Sequence, residues 1–358
     1  MISWPQLQPS TTTSGIYKAQ PSDFKVRELL GFTPTSDAKG QHHWLYVRKT
    51  QLTTVQVAKL IAKLVDVPVR EVGYSGLKDK VAVTEQWFSV QLPALANPDW
   101  FALFATALAD HGPHFADASV ELVEALRSGK KLRRGSHKQN RFEIVLSAVT
   151  DMDELLHRLQ GTTLLVPNYY GEQRFGFGQD NIRQAEQMFA GKRIKDRNLR
   201  SILLSSARSW VFNHYLAERM ALHRTDLIDG DVFLLAGSHS YFTADGIDTV
   251  IQNRFDEGDI QVSGPLVGDV ESPATAAALA FEEQIVERFP VLVRGLKASR
   301  VKPERRALWL QPSDIQITPV NADSVCLAFT LPAGCFATSV LQELGDFQSP
   351  RREHGEGS

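Results

Sequence analysis

Residues 71–90 read EVGYSGLKDKVAVTEQWFSV, and the change of character on either side of this stretch decides the fold. Upstream, Val57, Leu60, Ile61 and Leu64 fall at i, i+3, i+4 and i+7, the spacing of an amphipathic helix. Thr53 or Thr54 can cap its start and Pro68 must end it. Downstream, Gln86 to Leu92 (QWFSVQL) reads as a strand. Gly73 and Gly76 lie between and predict a tight turn, so the spacing predicts a loop that joins a helix to a strand. That loop presents Lys78, Asp79 and Lys80 in succession. Two ammonium groups beside one carboxylate favour its anion, and an anionic carboxylate suits nucleophilic attack better than proton donation. The same tripeptide is also what an ordinary solvated loop tip looks like, so spacing alone does not isolate Asp79.

Working outward, residues 23–28 (DFKVRE) and 44–48 (WLYVR) are short strand candidates. Residues 98–111 place Trp100, Phe101, Phe104 and Leu108 on one helical stripe, while Phe142, Ile144 and Leu146 alternate as a half-buried strand before a short helix over 151–159. Beyond about residue 165 helical spacing dominates, over 181–190, 205–222 and 274–288, and strand alternation returns only at Val325, Leu327, Phe329 and Leu331. Strand-rich ends around a helix-rich middle predict an α+β protein. Its mixed-sheet domain would span 1–164 and 311–344, interrupted by an inserted helix-rich α/β domain over 165–310. The polar, aperiodic segment 345–358 is expected to be a mobile tail.

The 358 residues are 43% hydrophobic, 22% charged and 9% aromatic, a soluble globular composition long enough for two cores. The start, MISWPQLQPSTTTSG, has no basic region followed by an apolar run, and no apolar stretch is long enough to span a bilayer. A cytoplasmic protein without a membrane partner is expected. The two cysteines, Cys326 and Cys335, stand apart from any zinc or redox spacing and read as reduced thiols. Ten histidines include no metal-ligand pattern. Gly176-Phe177-Gly178 is too short for a dinucleotide fingerprint, and no Walker-type Gly-Lys-Ser/Thr occurs. Neither metal nor nucleotide cofactor is expected.

A net charge of −2 excludes a uniformly basic coat. Three local runs are basic all the same: 127–141, 191–200 and 294–306 carry eighteen of the 39 Lys and Arg residues. One such run is an ordinary solvated face; three in a neutral protein point to a concentrated polyanion-binding face. The first run supplies the backbone-contact candidates Lys130, Lys131, Arg133, Arg134 and Lys138.

The stretch around Asp79 resembles the signature of the TruD tRNA pseudouridine synthases, a Gly-x-Lys-Asp turn followed by Ala-x-Thr-x-Gln. Here the matching residues are Gly76, Lys78, Asp79, Ala82, Thr84 and Gln86. Further matches are Asp23, Phe24 and Glu28, then Asn140 and Phe142, and the stretches 168–176 (NYYGEQRFG), 206–212 (SARSWVF) and 331–339 (LPAGCFATS). The resemblance implies a pseudouridine-synthase-type catalytic domain with an inserted TRUD domain, and a cofactor-free, metal-free isomerisation of uridine in tRNA, at uridine 13. It makes Asp79 the nucleophile, Lys18 the cation that pairs with it, Asn140 a contact in the active-site region, and Phe24, Phe142 and Phe336 aromatic contacts to the substrate. Arg174 would contact phosphate or brace the domain junction. Without the family, Phe142 reads first as the opening core residue of its strand, Phe24 and Phe336 as core filler and Lys18 as a surface lysine. Gln139 stands where many relatives have glycine, and a monomer is compatible with everything in the sequence.

Two other classes fit parts of the pattern. A non-catalytic RNA-binding protein or RNA chaperone could use the same basic face. A glycoside hydrolase would want a second acid near Asp79, and Glu71 and Glu85 are the candidates at hand.

Overall fold

The computed structural model describes residues 4–108, 117–159, 164–238 and 240–350. Residues 109–111 of the helix expected over 98–111 and residues 351–358 of the expected tail lie outside these. The chain forms two compact units. The sheet unit comprises Thr11–Gln160, Pro312–Gly334 and Gly345–Ser358, and the helical unit Met1–Ser10, Gly161–Gln311 and Cys335–Leu344.

The sheet unit is built on one mixed sheet, ten-stranded among the described residues. Its strands are β1 (Ser14–Tyr17), β2 (Phe24–Leu29), β3 (His42–Thr50), β4 (Val72–Tyr74), β5 (Val83–Gln91), β6 (Ser119–Ser128) and β7 (Gln139–Ser147). Near the end of the chain come β14 (Ser313–Asn321), β15 (Ser324–Pro332) and β16 (Asp346–Gln348). The main path runs β14-β15-β7-β2-β5-β3-β6, with β1 paired to β7 and β16 and β4 paired to β5. Strand side chains alternate between faces, and the register therefore sorts them across strands. Lys49, Thr84, Val26, Phe142 and Phe329 are successive partners on one face, with Glu28, Asn140 and Leu331 in the next row. Arg48, Glu85, Arg27 and Arg141 line the other face.

Helix α1 (Thr54–Leu64) starts at Thr53, whose side chain and that of Gln56 form a reciprocal capping box. It buries Val57, Ala58, Ile61 and Ala62 against Leu45, Val47, Phe88 and Val90. Two short helices, α2 (Trp100–Ala105) and α3 (Met152–Leu159), complete the unit.

Two sequence expectations need correcting here. The segment with Gly73 is not loop, because Val72–Tyr74 pairs with Val90, Ser89 and Phe88 as strand β4. Asp79 thus lies in the wide connection of a β4–β5 hairpin; three residues are too few for an alternation to show in sequence. Strand β6 had no signal either: it is an edge strand on which Leu122 alone is buried, and a register shift opposite Tyr46 and Val47 breaks its alternation. Within the segment expected to be tail, Asp346–Gln348 forms β16 beside β1.

In the helical unit α5 (Arg197–His223) is the spine. Asp196 accepts from the amides of Asn198 and Leu199 and starts it earlier than the apolar spacing predicts. Its buried Leu203, Ala207, Val211, Phe212 and Leu216 pack with α4 (Asp180–Phe189), α7 (Ala276–Val286) and α8 (Pro290–Ala298). Around them stand α6 (Thr249–Asp256) and α9 (Ala337–Leu344). Contrary to the expectation that strands return only near Val325, this unit has its own sheet. Its order is β10 (Tyr241–Thr243), β9 (Val232–Leu235), β11 (Ile260–Leu266), β12 (Glu304–Ala307). Val232 and Phe233 are fully buried there, and short continuous apolar runs carry no periodicity that separates strand from helix. A two-strand ladder joins β8 (Val166–Pro167) to β13 (Trp309–Leu310). The N-terminal segment enters this core through Trp4, stacked on Tyr169 at 5.4 Å.

Candidate active site

The connection between β4 and β5 is held by buried polar side chains. Thr54, second residue of the capped turn, donates to Gln86 Oε1 (2.7 Å) and accepts from the Lys78 amide (2.9 Å). Gln86 Nε2 donates to the Gly76 carbonyl at 3.1 Å. Ser75 donates to Glu28 Oε2 at 2.6 Å, and Lys49 Nζ donates to the carbonyl of Asp79 itself at 2.8 Å. Lys49, Thr54, Glu28 and Gln86 are all buried. A loop whose main chain is gripped at so many points has little conformational freedom left.

The resulting side-chain arrangement revises the expectation drawn from the local tripeptide. Lys78 points inward, donating to Asn140 Oδ1 (2.7 Å) and pairing with Glu28 (3.2 Å). Burial lowers its pKa from the usual lysine value, with Glu28 and then Asp79 opposing. Lys80 is exposed. The cation on Asp79 is instead Lys18, whose Nζ lies 2.9 Å from Oδ2. Lys18 sits at φ 58°, a left-handed conformation that side-chain-bearing residues adopt at a cost, and its ammonium caps the Phe24 ring 3.8 Å from the centroid. The Asp79 side chain keeps 40% of its surface open while Lys18 keeps 7%. Asn140 Oδ1 is taken by Lys78, and among the described residues its amide donors are left to offer.

Phe24 and Phe142 meet edge to face at 6.1 Å, and Phe142 stacks on Phe329 at 5.6 Å. Both rings are buried and carry the sheet core as well as any substrate role.

The basic run 127–141 is divided between β6, a loop and β7, and its loop lies against the Asp79 hairpin. Gly135 N donates to Ser75 O at 2.8 Å, and Leu132 N donates to Ser89 Oγ at 3.0 Å. The glycines serve this approach rather than a tight turn: a Cβ on Gly73 would sit 2.4 Å from Leu132 O, and one on Gly76 2.8 Å from the His137 ring. Lys130, Arg133, Arg134 and Lys138 are exposed. Lys131 donates to Arg70 O, and Arg134 stacks on Tyr74 at 4.3 Å.

The acids considered as partners of Asp79 are committed elsewhere. Glu85 is on the other face of the sheet, clasped by Arg27 (3.0 Å), Arg48 (2.9 Å) and the Tyr46 hydroxyl (3.1 Å). Glu71 pairs with Arg70. Among the described residues no group of three or more His, Cys, Asp and Glu could hold a metal ion, and no helix is long and apolar enough to cross a membrane.

Within the helical unit, Phe336 meets Tyr170 at 5.8 Å, and Arg174 lies over both rings, 5.4 Å from Tyr170 and 6.0 Å from Phe336. Arg174 donates to Ser205 Oγ at 3.0 Å and forms no ion pair with a carboxylate among the described residues. Burial works against its charge and so does Arg306, with Tyr170 opposing. Arg306 covers Tyr170 from 4.0 Å and donates to the Asn168 carbonyl at 3.0 Å.

A family model described as tRNA pseudouridine synthase D (TruD) matches residues 7–194 and 182–344. A tRNA pseudouridine synthase D from Pseudoalteromonas atlantica is 41% identical over 353 residues, 97% of each chain. The enzyme of that name from Shewanella oneidensis is 40% identical over 91% of this chain and 85% of its own. The chain belongs to the TruD family. It is thereby an isomerase by class. A crystal structure bearing the TruD name, from Methanosarcina mazei, superposes with a TM-score of 0.65 over 95% of both chains at 17% identity. That likeness bears out the expected α+β fold with its mixed sheet.

Lys49 escaped the sequence reading, as did the second role of Thr54. The available signal was alternation: His43, Leu45, Val47 and Lys49 share the inward face of β3, and a lysine at an inward position asks for a reason.

Proposed function

We propose that this TruD-family chain isomerises uridine to pseudouridine in tRNA, at uridine 13, with Asp79 as the nucleophile. The observation that carries the reading is the single carboxylate in the braced hairpin loop, salt-bridged to a buried lysine at 2.9 Å yet 40% open to a ligand. The reaction breaks N1–C1′, turns the freed base and joins C5 to C1′, with loss of the C5 hydrogen. It needs no redox step. What it needs is an anionic carboxylate held in place, a dry pocket for the detached uracil and a surface that positions the RNA. Addition of Asp79 to C1′, addition to C6 and assisted departure of the base all use the same placement of this group.

In this reading the sheet unit is the catalytic domain and the helical unit the TRUD domain. Asn140 offers its amide to an edge carbonyl of the flipped base, and Phe24 and Phe142 wall the pocket. Lys130, Lys131, Arg133, Arg134 and Lys138 follow the RNA backbone. On the helical unit Arg174 takes a phosphate, the anion that an aromatic-bracketed guanidinium with no acidic partner calls for, and Phe336 is a further aromatic contact to RNA. The setting is the cytoplasm, and no cofactor enters the scheme.

The test is release of tritium from transcripts labelled at uracil C5. The full chain should release label from unmodified tRNA and lose that release when uridine 13 is replaced. Asp79→Asn should abolish release while keeping tRNA affinity, since one neutralised carboxylate scarcely alters a multi-phosphate contact. Release by Asp79→Asn at the wild-type rate would remove Asp79 from the mechanism, and binding without release by the wild-type chain would leave an RNA-binding protein.

A further inference from the structure

Lys49 is fully buried, and its ammonium is spent on two main-chain carbonyls, Leu52 O at 2.6 Å and Asp79 O at 2.8 Å. No carboxylate forms an ion pair with it among the described residues. Burying a charge with only carbonyls to receive it is costly. The strand has a cheaper solution at hand, since Leu45 and Val47 fill the same inward face with hydrocarbon. The charge sits where the apolar face of β3 gives way to the Asp79 loop.

We infer that Lys49 is a positioning residue for Asp79, fixing the main chain from which the carboxylate is presented. Rotation about the backbone of residues 78 and 79 is what would swing that carboxylate. Thr54 holds the amide at the front of this pair and Lys49 the carbonyl at its back. Lys49 also holds Leu52, next to the capping Thr53. Both grips therefore come from the seam between β3 and α1, which the α1 core makes rigid. Lys18 then selects the side-chain rotamer through Oδ2. An ammonium is the strongest donor available for the carbonyl, and its charge attracts that of Asp79. The inference rests on Asp79 being the reacting group.

The test compares wild-type, Lys49→Met and Asp79→Asn full-length chains in the tritium-release assay, with tRNA binding and thermal melting measured in parallel. Lys49→Met should melt at or above the wild-type temperature at pH 7, bind tRNA with unchanged Kd and KM, and lose kcat about 10- to 100-fold, the range for a misplaced reacting group. A folded Lys49→Met with kcat within twofold of wild type overturns the proposal. So does a loss that appears in KM instead of kcat. Should Lys49→Met fail to fold, Lys49→Gln is held to the same criteria, and failure of both overturns the proposal by making Lys49 a folding residue. If Asp79→Asn turns over normally, the nucleophile assignment falls; if only Lys49→Met does, the nucleophile stands and Lys49 alone is dismissed.

Discussion

Arg219 and Asp231 in the helical unit, and Lys49 with Asp79 in the sheet unit, are two ways of taking charge out of water. Arg219 meets Asp231 through both ends of its fork, at 2.9 and 2.7 Å, with each side chain 1% exposed. The remaining carboxylate capacity takes the Ile228 amide. A second pair, Arg305 and Glu282 at 2.7 Å, is buried as well, with side chains 4% and 3% exposed. These pairs join α5 and α7 to the small sheet and, being buried, present no exposed charge to a ligand. Around Asp79 the accounts stay open: Lys49 has carbonyls for partners, and the acid paired with Lys18 faces outward on one side. Closed pairs specify a fold, whereas an open arrangement fixes a group that still has something to do.

If that contrast is sound, removing one carboxylate from each unit should give opposite phenotypes. Asp79→Ala should cut turnover by roughly four orders of magnitude or more and leave the melting temperature within a few degrees of wild type. Single-turnover tritium release and calorimetry read both numbers. Asp231→Ala should do the reverse, stranding a buried guanidinium at a cost of about 3–5 kcal/mol while the folded fraction retains wild-type kcat. Urea unfolding measures the loss. A stable, active Asp231→Ala would mean that the closed pair is dispensable, and with it the distinction between the two regions.

Little of that distinction was legible in sequence. The strong periodicities of α1 and β7 come through because each has one face on a core, and the sequence resemblance placed Lys18 beside Asp79 across 61 positions. What does not come through depends on partners remote in sequence. Lys78 beside Asp79 reads as its counter-ion, yet the fold gives it to Glu28 and Asn140, fifty and sixty-two residues away in the chain. Lys49 lies just beyond the 44–48 stretch that reads as a strand, so the alternation that turns it inward shows only once β3 is carried through to Thr50. The inner strands of the helical unit, β9 and β11, are hidden for the related reason that runs buried on both faces lose their alternation, whereas β10 and β12 have no buried residue to mark a face.

A smaller effect sharpens the comparison from the side of pH. Burial holds Lys49 down to about 8 in the fold, with the Asp79 charge opposing and Lys78 assisting, against about 10.4 for an unfolded lysine. The unfolded chain therefore binds more protons between those values, and stability from this group rises with pH across the window. Below pH 8 both states are protonated and the full penalty of the buried charge is present, on the order of 3 kcal/mol. The stability advantage of Lys49→Met over wild type should accordingly be largest near pH 7 and shrink as pH climbs from 8 to 10. Urea titrations of both proteins at three pH values give the difference, which cancels the other groups ionising there. A difference independent of pH would show that Lys49 is not a buried cation.

The smallest expected effect concerns the exposed charges, where the two units can be matched residue for residue. Arg134 stacks on Tyr74 in the loop beside the Asp79 hairpin and has no carboxylate partner among the described residues. Arg254 on α6 is tied to Asp259 at 2.6 Å. An arginine whose charge is unmatched can displace a counterion from RNA, and its loss should lower the slope of log Kd against log salt by about one. An arginine already neutralised by an aspartate contributes little to either slope or affinity. Arg134→Ala should thus weaken tRNA binding about three- to tenfold at low salt, with the deficit closing as salt rises and with kcat at saturation unchanged. Arg254→Ala should bind as wild type at every salt concentration. Filter binding from 50 to 300 mM salt, on the order of the range where such slopes are read, decides the matter. Equal slopes for the two variants would detach the basic loop from RNA, and a loss confined to Arg254→Ala would move the RNA-binding face to the other unit.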